Sequence, residues 1–308
     1  MNPKNAMKLD ADETVFFTRE LEVVKTATYD VKHSQLKATS LIPVSRVNRG
    51  AETITYRVYD MVGVAKIIAD YAKDYPRVDV YGTETSVKVK DIGISYGYSI
   101  KEIRASQMAE KGLDTRRAQA AKRAIDQKID AIAWNGDATS NLKGLIGYPG
   151  LHEYTIVADG TGSVKTWAHK TADQIARDIT GLWSSVNAIT NGLEAPDTCI
   201  MPLESMNFIA TKRMGDGSDK TVLQFVKDAL PMVTKWDWVN ELNTAGTGST
   251  KMIMMYTRDP MHLTLEIPET FEQFEADKEG TEYNIPCQAS CGGVIVYYPL
   301  SVGWGYGI

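Results

Sequence analysis

The sequence predicts an α+β fold, and three observations carry that prediction. Two stretches near the start, Thr53 to Tyr59 and Val78 to Val89, approach strict alternation and are rich in β-branched and aromatic residues. Two long patterns follow in which apolar residues recur every three or four positions, the spacing of amphipathic helices. Strand character returns in Val294-Ile-Val-Tyr-Tyr298 and again toward Ile308, with no regular strand–helix rhythm and no internal repeat.

Composition sets the limits. A chain of 308 residues with 43% hydrophobic and 24% charged side chains buries roughly three quarters of its unfolded surface, enough for two packed lobes. No run of about 18 apolar residues occurs, and Met1 to Glu13 is polar and acidic where a secretory signal needs an apolar stretch, so no membrane partner is expected. The three cysteines, Cys199, Cys287 and Cys291, are an odd number in a long chain. That count argues for a reducing compartment and cytoplasmic synthesis. The formal charge of −5 divides unevenly: residues 1–150 hold 23 Lys/Arg against 19 Asp/Glu (+4), and residues 151–308 hold 11 against 20 (−9). Opposite ends of this kind suit docking between identical copies or contact of the basic part with nucleic acid; two solvated surfaces explain them equally well.

Taken in order, residues up to about Leu41 read as an arm with one short helix near Val15 to Val24. The alternating stretches then form a long hairpin. Asp60 to Arg77 between them, with Gly63 and the Tyr75-Pro76 break, make a wide tip with no evident place in a compact core. The strongest helix starts at Asp114 as N-cap and places Ala118, Ala121, Ile125, Ile129, Ile132 and Ala133 on one face. Its other face holds Arg116, Arg117, Lys122, Arg123, Asp126, Lys128 and Asp130, and Asn135-Gly136-Asp137 stop it. Thr171 and Gln174 form a capping-box pattern opening a second helix with the stripe Ile175, Ile179, Leu182, Val186 and Ile189. A strand near Thr198 to Met201, helices near Leu203 to Lys212 and Asp219 to Leu230, and strands at Met252 to Thr257 and Met261 to Ile267 complete that lobe, the last strictly alternating.

Motifs that suggest chemistry must also fit their structural context. Gly93-Ile-Ser95-Tyr-Gly97 matches the pattern of a hydrolase nucleophile elbow, and His152, His169 and His262 follow it. The elbow needs a strand, a strained turn and a helix directly after the serine, whereas Tyr96 to Ile100 continues strand-like, so a strand end is the expectation. Gly215 to Thr221 resembles a phosphate loop only faintly, because Asp219 stands where glycine must let phosphate approach; a turn with Asp219 capping the next helix is expected instead. Cys287 and Cys291 form one loose pair and read as buried thiols rather than zinc ligands. Glu266, Glu269, Glu272, Glu275 and Asp277 read as a solvated charged run. The six tryptophans lack interleaved basic runs and read as core. No catalytic, cofactor or metal residue is therefore assigned.

The order of parts is similar to the Hong Kong 97 type of phage capsid fold. The residues carrying the resemblance are Ala51-Glu-Thr-Ile-Thr-Tyr-Arg-Val-Tyr-Asp60, Pro76-Arg-Val-Asp-Val-Tyr-Gly82, Tyr96-Gly-Tyr98, Ala133-Trp-Asn-Gly-Asp137 and Gly144-Leu-Ile-Gly147. Together they resemble a family of tailed-bacteriophage major capsid proteins once catalogued only as a domain of unknown function, and the helix exit followed by Gly-Leu-Ile also resembles encapsulins. The resemblance implies an N-terminal arm (1–45), an E-loop hairpin with flanking strands (46–100), a peripheral P-domain with its spine helix at about 114–135 (101–165), an axial A-domain (166–265) and closing P-domain strands (266–308). It implies a virion shell protein, assembled in the host cytoplasm as hexamers and pentamers around double-stranded DNA held without sequence reading. Portal, scaffolding and decoration proteins are the implied partners, the scaffold being a separate protein or dispensable because no long N-terminal extension is present. Met61, Val62, Val64, Ile67 and Ile68 are the expected inter-subunit contacts of the E-loop, and Lys66 and Lys73 lie in the loop where some relatives crosslink, with no motif marking a reactive partner. An encapsulin-type nanocompartment shell is the alternative, and a hydrolase built on Ser95 a remote one.

Overall fold

The computed structural model describes residues 35–63, 77–108, 116–215, 217 and 219–308. The described chain begins with a short helix, α1 (Ala38–Leu41), and a two-residue strand, β1 (Val44–Ser45). The alternating stretches form β2 (Thr53–Val62) and β3 (Asp79–Lys88), an antiparallel ribbon in register from Thr53↔Lys88 to Val62↔Asp79. Val89 alone separates β3 from β4 (Lys90–Ser99), and α2 (Ile100–Met108) follows. The long amphipathic pattern is α3 (Arg116–Asn135), which buries Ala121, Ile125, Ile129, Ile132, Ala133 and Trp134.

The end of α3 has a specific physical cause. Gly136 takes φ of 72°, a conformation that glycine adopts at little cost, and its N–H donates to Ile132 O at 2.8 Å. The chain then doubles back, so that the N–H groups of Leu145 and Ile146 donate to the orphan carbonyls of Ala133 and Trp134, each at 2.8 Å. A Cβ on Gly144 would lie 2.3 Å from Gly136 N, and one on Gly136 would lie 2.5 Å from Leu142 O. The two glycines thus allow the Gly-Leu-Ile turn to cap the helix.

The chain continues through β5 (His152–Glu153), α4 (Ala172–Ile189), β6 (Thr198–Met201), α5 (Leu203–Thr211), α6 (Val222–Ala229), β7 (Lys235–Trp238) and β8 (Met252–Tyr256). It closes with β9 (Leu263–Glu266), β10 (Glu269–Gln273), β11 (Asp277–Glu279), β12 (Glu282–Cys291), β13 (Gly293–Val296) and β14 (Val302–Tyr306). Both halves of the Thr171–Gln174 capping box form at the start of α4. A five-stranded sheet, in the order β5-β14-β8-β6-β7, separates two apolar cores. Met252, Met254 and Tyr256 of β8 enter one core while Ile253 and Met255 enter the other, which is why the strand has no polar face. The first core joins α1 and α3 to a three-stranded sheet, β1-β9-β13, and to β12; the second lies under α4, α5 and α6. β12 pairs along its length with β4, and β10 and β11 also pair with β12.

Two polar joints fix these layers. The Asp130 carboxylate on α3 accepts from Ala38 N at 2.8 Å, while the carbonyls ending α1 accept from Tyr256 OH (3.1 Å), Arg258 Nε (3.1 Å) and Lys235 Nζ (2.9 Å). In the second lobe Lys170 Nζ lies 2.5 Å from Asp178 and 3.4 Å from Asp159, with the Lys170 and Asp178 side chains fully buried.

Four expectations change. Thr221, with Gln224 completing a capping box, caps α6 in place of Asp219, because the helix starts only at Val222. Ile189, the last residue of α4, is 43% exposed and not part of the buried stripe. Asp130, expected on the charged face of α3, is 8% exposed, and all of β9 is buried, since the side carrying Thr264 and Glu266 is itself covered. Glu266 accordingly leaves the solvated run, with 1% exposure and its Oε1 accepting from Thr264 at 2.6 Å. Asp114 and the helix expected near Val15 to Val24 lie outside the described residues.

Candidate assembly surfaces

The β2–β3 ribbon is a sheet of two strands, too few to bury a face by themselves. Its root is anchored from one side. Val87 is buried, Tyr56 meets Tyr297 edge-on with ring centroids 5.1 Å apart, and Ile54 reaches to within 3.3 Å of where a Cβ on Gly292 would stand. Tyr148 completes this root: burial, with Tyr56 and Tyr297 as neighbours, pushes its phenol up to about 12. Tyr297 OH in turn lies 3.1 Å from Thr264 Oγ1. The outer half is different. Tyr59, Val78, Val80 and Tyr81 are between 57% and 69% exposed, an apolar concentration that a soluble monomer rarely leaves uncovered.

Of the contacts expected from the sequence, Met61 and Val62 are the last residues of β2, and Val64, Ile67 and Ile68 lie outside the described residues, as do Lys66 and Lys73. The basic residues of α3 are brought onto one helix but do not act alike. Arg117 stacks its guanidinium 4.9 Å from the Tyr98 ring centroid, donates to Gly97 O and pairs with Glu102 at 2.8 Å. This hydrogen-bonded pair, with the Ser99 N–H, draws the Glu102 carboxyl down to about 2. Arg116 and Lys122 are exposed and Arg123 is half-buried.

A groove of about 690 Å3 runs beside the same helix, with Leu36, Val44, Ile129, Ile267 and Phe271 as its apolar wall. Asp126, Asp130 and Arg46 also line it, and burial raises both carboxyls above their ordinary range. Neither this groove nor the tyrosine root was visible in the sequence, because their residues come from segments far apart in the chain and carry no local motif.

Residues weighed for chemistry fall elsewhere. Ser95 is exposed in the middle of β4, opposite Pro286 of β12, and the strand runs on to Ser99, so no elbow turn exists there. His262 pairs with Glu194 at 3.0 Å in a different part of the chain. Cys199, Cys287 and Cys291 are buried free thiols, and burial raises all of them. No group of three or more metal-binding side chains and no helix long and apolar enough to cross a membrane occurs among the described residues.

The family model described as "Major capsid protein" matches residues 63–308. No curated protein matches the sequence. Among solved structures, the chain is similar to the capsid of Myoviridae phage XM1, with 18% identity over 96% of this chain and 100% of that chain and a TM-score of 0.81. It is also similar to the capsid of an empty GTA particle, with 12% identity over 92% and 94% and a TM-score of 0.66. A virus-like particle from Pyrococcus furiosus shares 11% identity over 88% and 91%, with a TM-score of 0.54.

Proposed function

Since the chain belongs to the major capsid protein family and has a Hong Kong 97 type fold, its role is that of a structural shell subunit, and we propose that it forms the icosahedral coat of a tailed phage around double-stranded DNA. In this reading residues 166–265 are the axial domain, meeting their copies in hexamers and pentamers, and the long helix with the closing strands belongs to the peripheral domain. The β2–β3 ribbon is the E-loop, reaching over the adjacent subunit, and residues 1–45 form an arm that joins neighbours. Contacts of this kind are individually weak. Closure multiplies them, because each subunit is held by several partners at once. Portal, scaffolding and decoration proteins are further partners, and packaged DNA is held by charge without base reading, Arg116, Lys122 and Arg123 being the candidate basic face.

One observation carries the reading beyond the family match: the exposed apolar outer half of a ribbon whose root alone is seated on the body. The double substitution Ile67→Asp and Ile68→Asp tests it. The subunit should keep its far-UV spectrum and melting temperature yet fail to form shells. Normal shells from this variant, seen by electron microscopy, would contradict the proposal. The likeness to the Pyrococcus furiosus particle supports a second reading, an encapsulin-type compartment for protein cargo. Nuclease-protected DNA inside purified particles favours the phage coat, and a co-purified enzyme the compartment.

A further inference from the structure

Resting on the reading that the ribbon meets a neighbouring subunit, we propose that this contact is one-sided: a second copy of the chain covers the ribbon face carrying Tyr59, Val78 and Val80, the face turned away from the subunit's own body. The register assigns the faces. Tyr59 stands opposite Gly82, so positions 59, 80 and 82 share one face, while Ile54, Tyr56, Val87 and Tyr81 share the other. Val78 extends the first face, because a Cβ on Gly63 would touch its side chain at 2.9 Å.

Apolar residues thus lie on both faces of the outer ribbon, Tyr81 (63% exposed) and the half-buried Val58 on the root's face and a second set on the other. At the root they look inward, where Ile54, Tyr56 and Val87 meet the region of Tyr297 and Gly292. In the outer half Tyr59 (59% exposed), Val80 (57%) and Val78 (69%) look outward. The body that seats the root is on the wrong side to cover them. A partner must approach from outside, and a shell protein has copies of itself available in that position.

The patch is built for an apolar protein surface rather than for phosphate. The Tyr59 ring lies over Gly82, where an added Cβ would be 3.1 Å from Cε1, so ring and valines make one continuous surface. On the same face Arg57 and Glu84, directly opposite one another, pair at 2.8 Å and cancel in charge. A neutral rim around an apolar centre suits protein association and offers no excess positive charge to a nucleic-acid backbone.

Assembly of purified full-length variants, followed by sedimentation and electron microscopy, tests the face assignment. Tyr59→Asp and Val80→Asp should each raise the concentration needed for shell formation by roughly tenfold or more, the effect of about 1.4 kcal/mol at a contact, with melting temperatures unchanged. Tyr81→Asp, on the opposite face at the same height, should stay within about twofold of the parent, as surface substitutions away from contacts do. If Tyr81→Asp is as harmful as Tyr59→Asp, the one-sided contact is wrong although the ribbon still joins subunits. If all of these variants assemble like the parent, both the face assignment and the underlying E-loop reading fail.

Discussion

At the scale of single residues, two charge arrangements set expectations of opposite kind. Lys170 and Asp178 are fully buried side chains 2.5 Å apart, and Lys170 also donates to Val157 O at 2.7 Å. Lys170→Met removes one of the two cations beside the buried Asp178 carboxylate and leaves Arg177 at 3.1 Å, so unfolding in denaturant should show a loss of up to about 3 kcal/mol, at the lower edge of the roughly 3–5 kcal/mol for a wholly unpaired buried charge. Glu102 is the exposed counterpart. Its folded-state carboxyl titrates at about 2, below the ordinary value of about 4.3. A lowered carboxyl stabilises the fold above its unfolded pKa, and that contribution disappears as pH falls through the folded value. Glu102→Gln should therefore lower stability slightly above about pH 4.3 and leave it unchanged below about pH 2, so that the acid slope between those values flattens, as thermal melts across that range will register.

At the scale of elements, what could be read from the sequence depended on whether the cause was local. The capping box at Thr171 was legible because its partners are three residues apart, and Thr171→Ala should cost about 1 kcal/mol, measurable as a lower melting temperature. The same pattern at Thr221 and Gln224 was equally local, but the acidic Asp219 drew the cap two residues too early. The alternation of β2 and β3 and the stripe of α3 were legible for the same reason, each being a period imposed by one buried face. The burial of Glu266 was not. Nothing near it in sequence announces that Thr264, Tyr297 and the ribbon root cover its side of β9. The long strand β12 (Glu282–Cys291) also escaped, since its residues answer to β4, nearly two hundred positions earlier, and not to a simple alternation of their own.

At the scale of the whole molecule, the five-stranded sheet explains how two lobes are held as one body. β8 contributes side chains to both cores, and β14, from the end of the chain, sits between β5 and β8 in the same sheet. Leu36–Ile308 accordingly form one compact unit. That body is well supplied with internal contacts, which is why the exposed outer ribbon stands out as a surface made for something else. The Gly-Leu-Ile turn that caps α3 shows how a resemblance in a few residues can carry structural meaning: Gly136 and Gly144 approach too closely for side chains, so this sequence fixes how the long helix ends.

The proposed shell role turns on completion of the ribbon by another copy. A reconstruction of particles assembled from the purified chain tests it most directly. Closed shells are expected, in which the outer ribbon of each subunit lies against its neighbour with Tyr59 and Val80 in the contact. Single, unassembled subunits under all assembly conditions, with the ribbon folded back against their own surface, would contradict it.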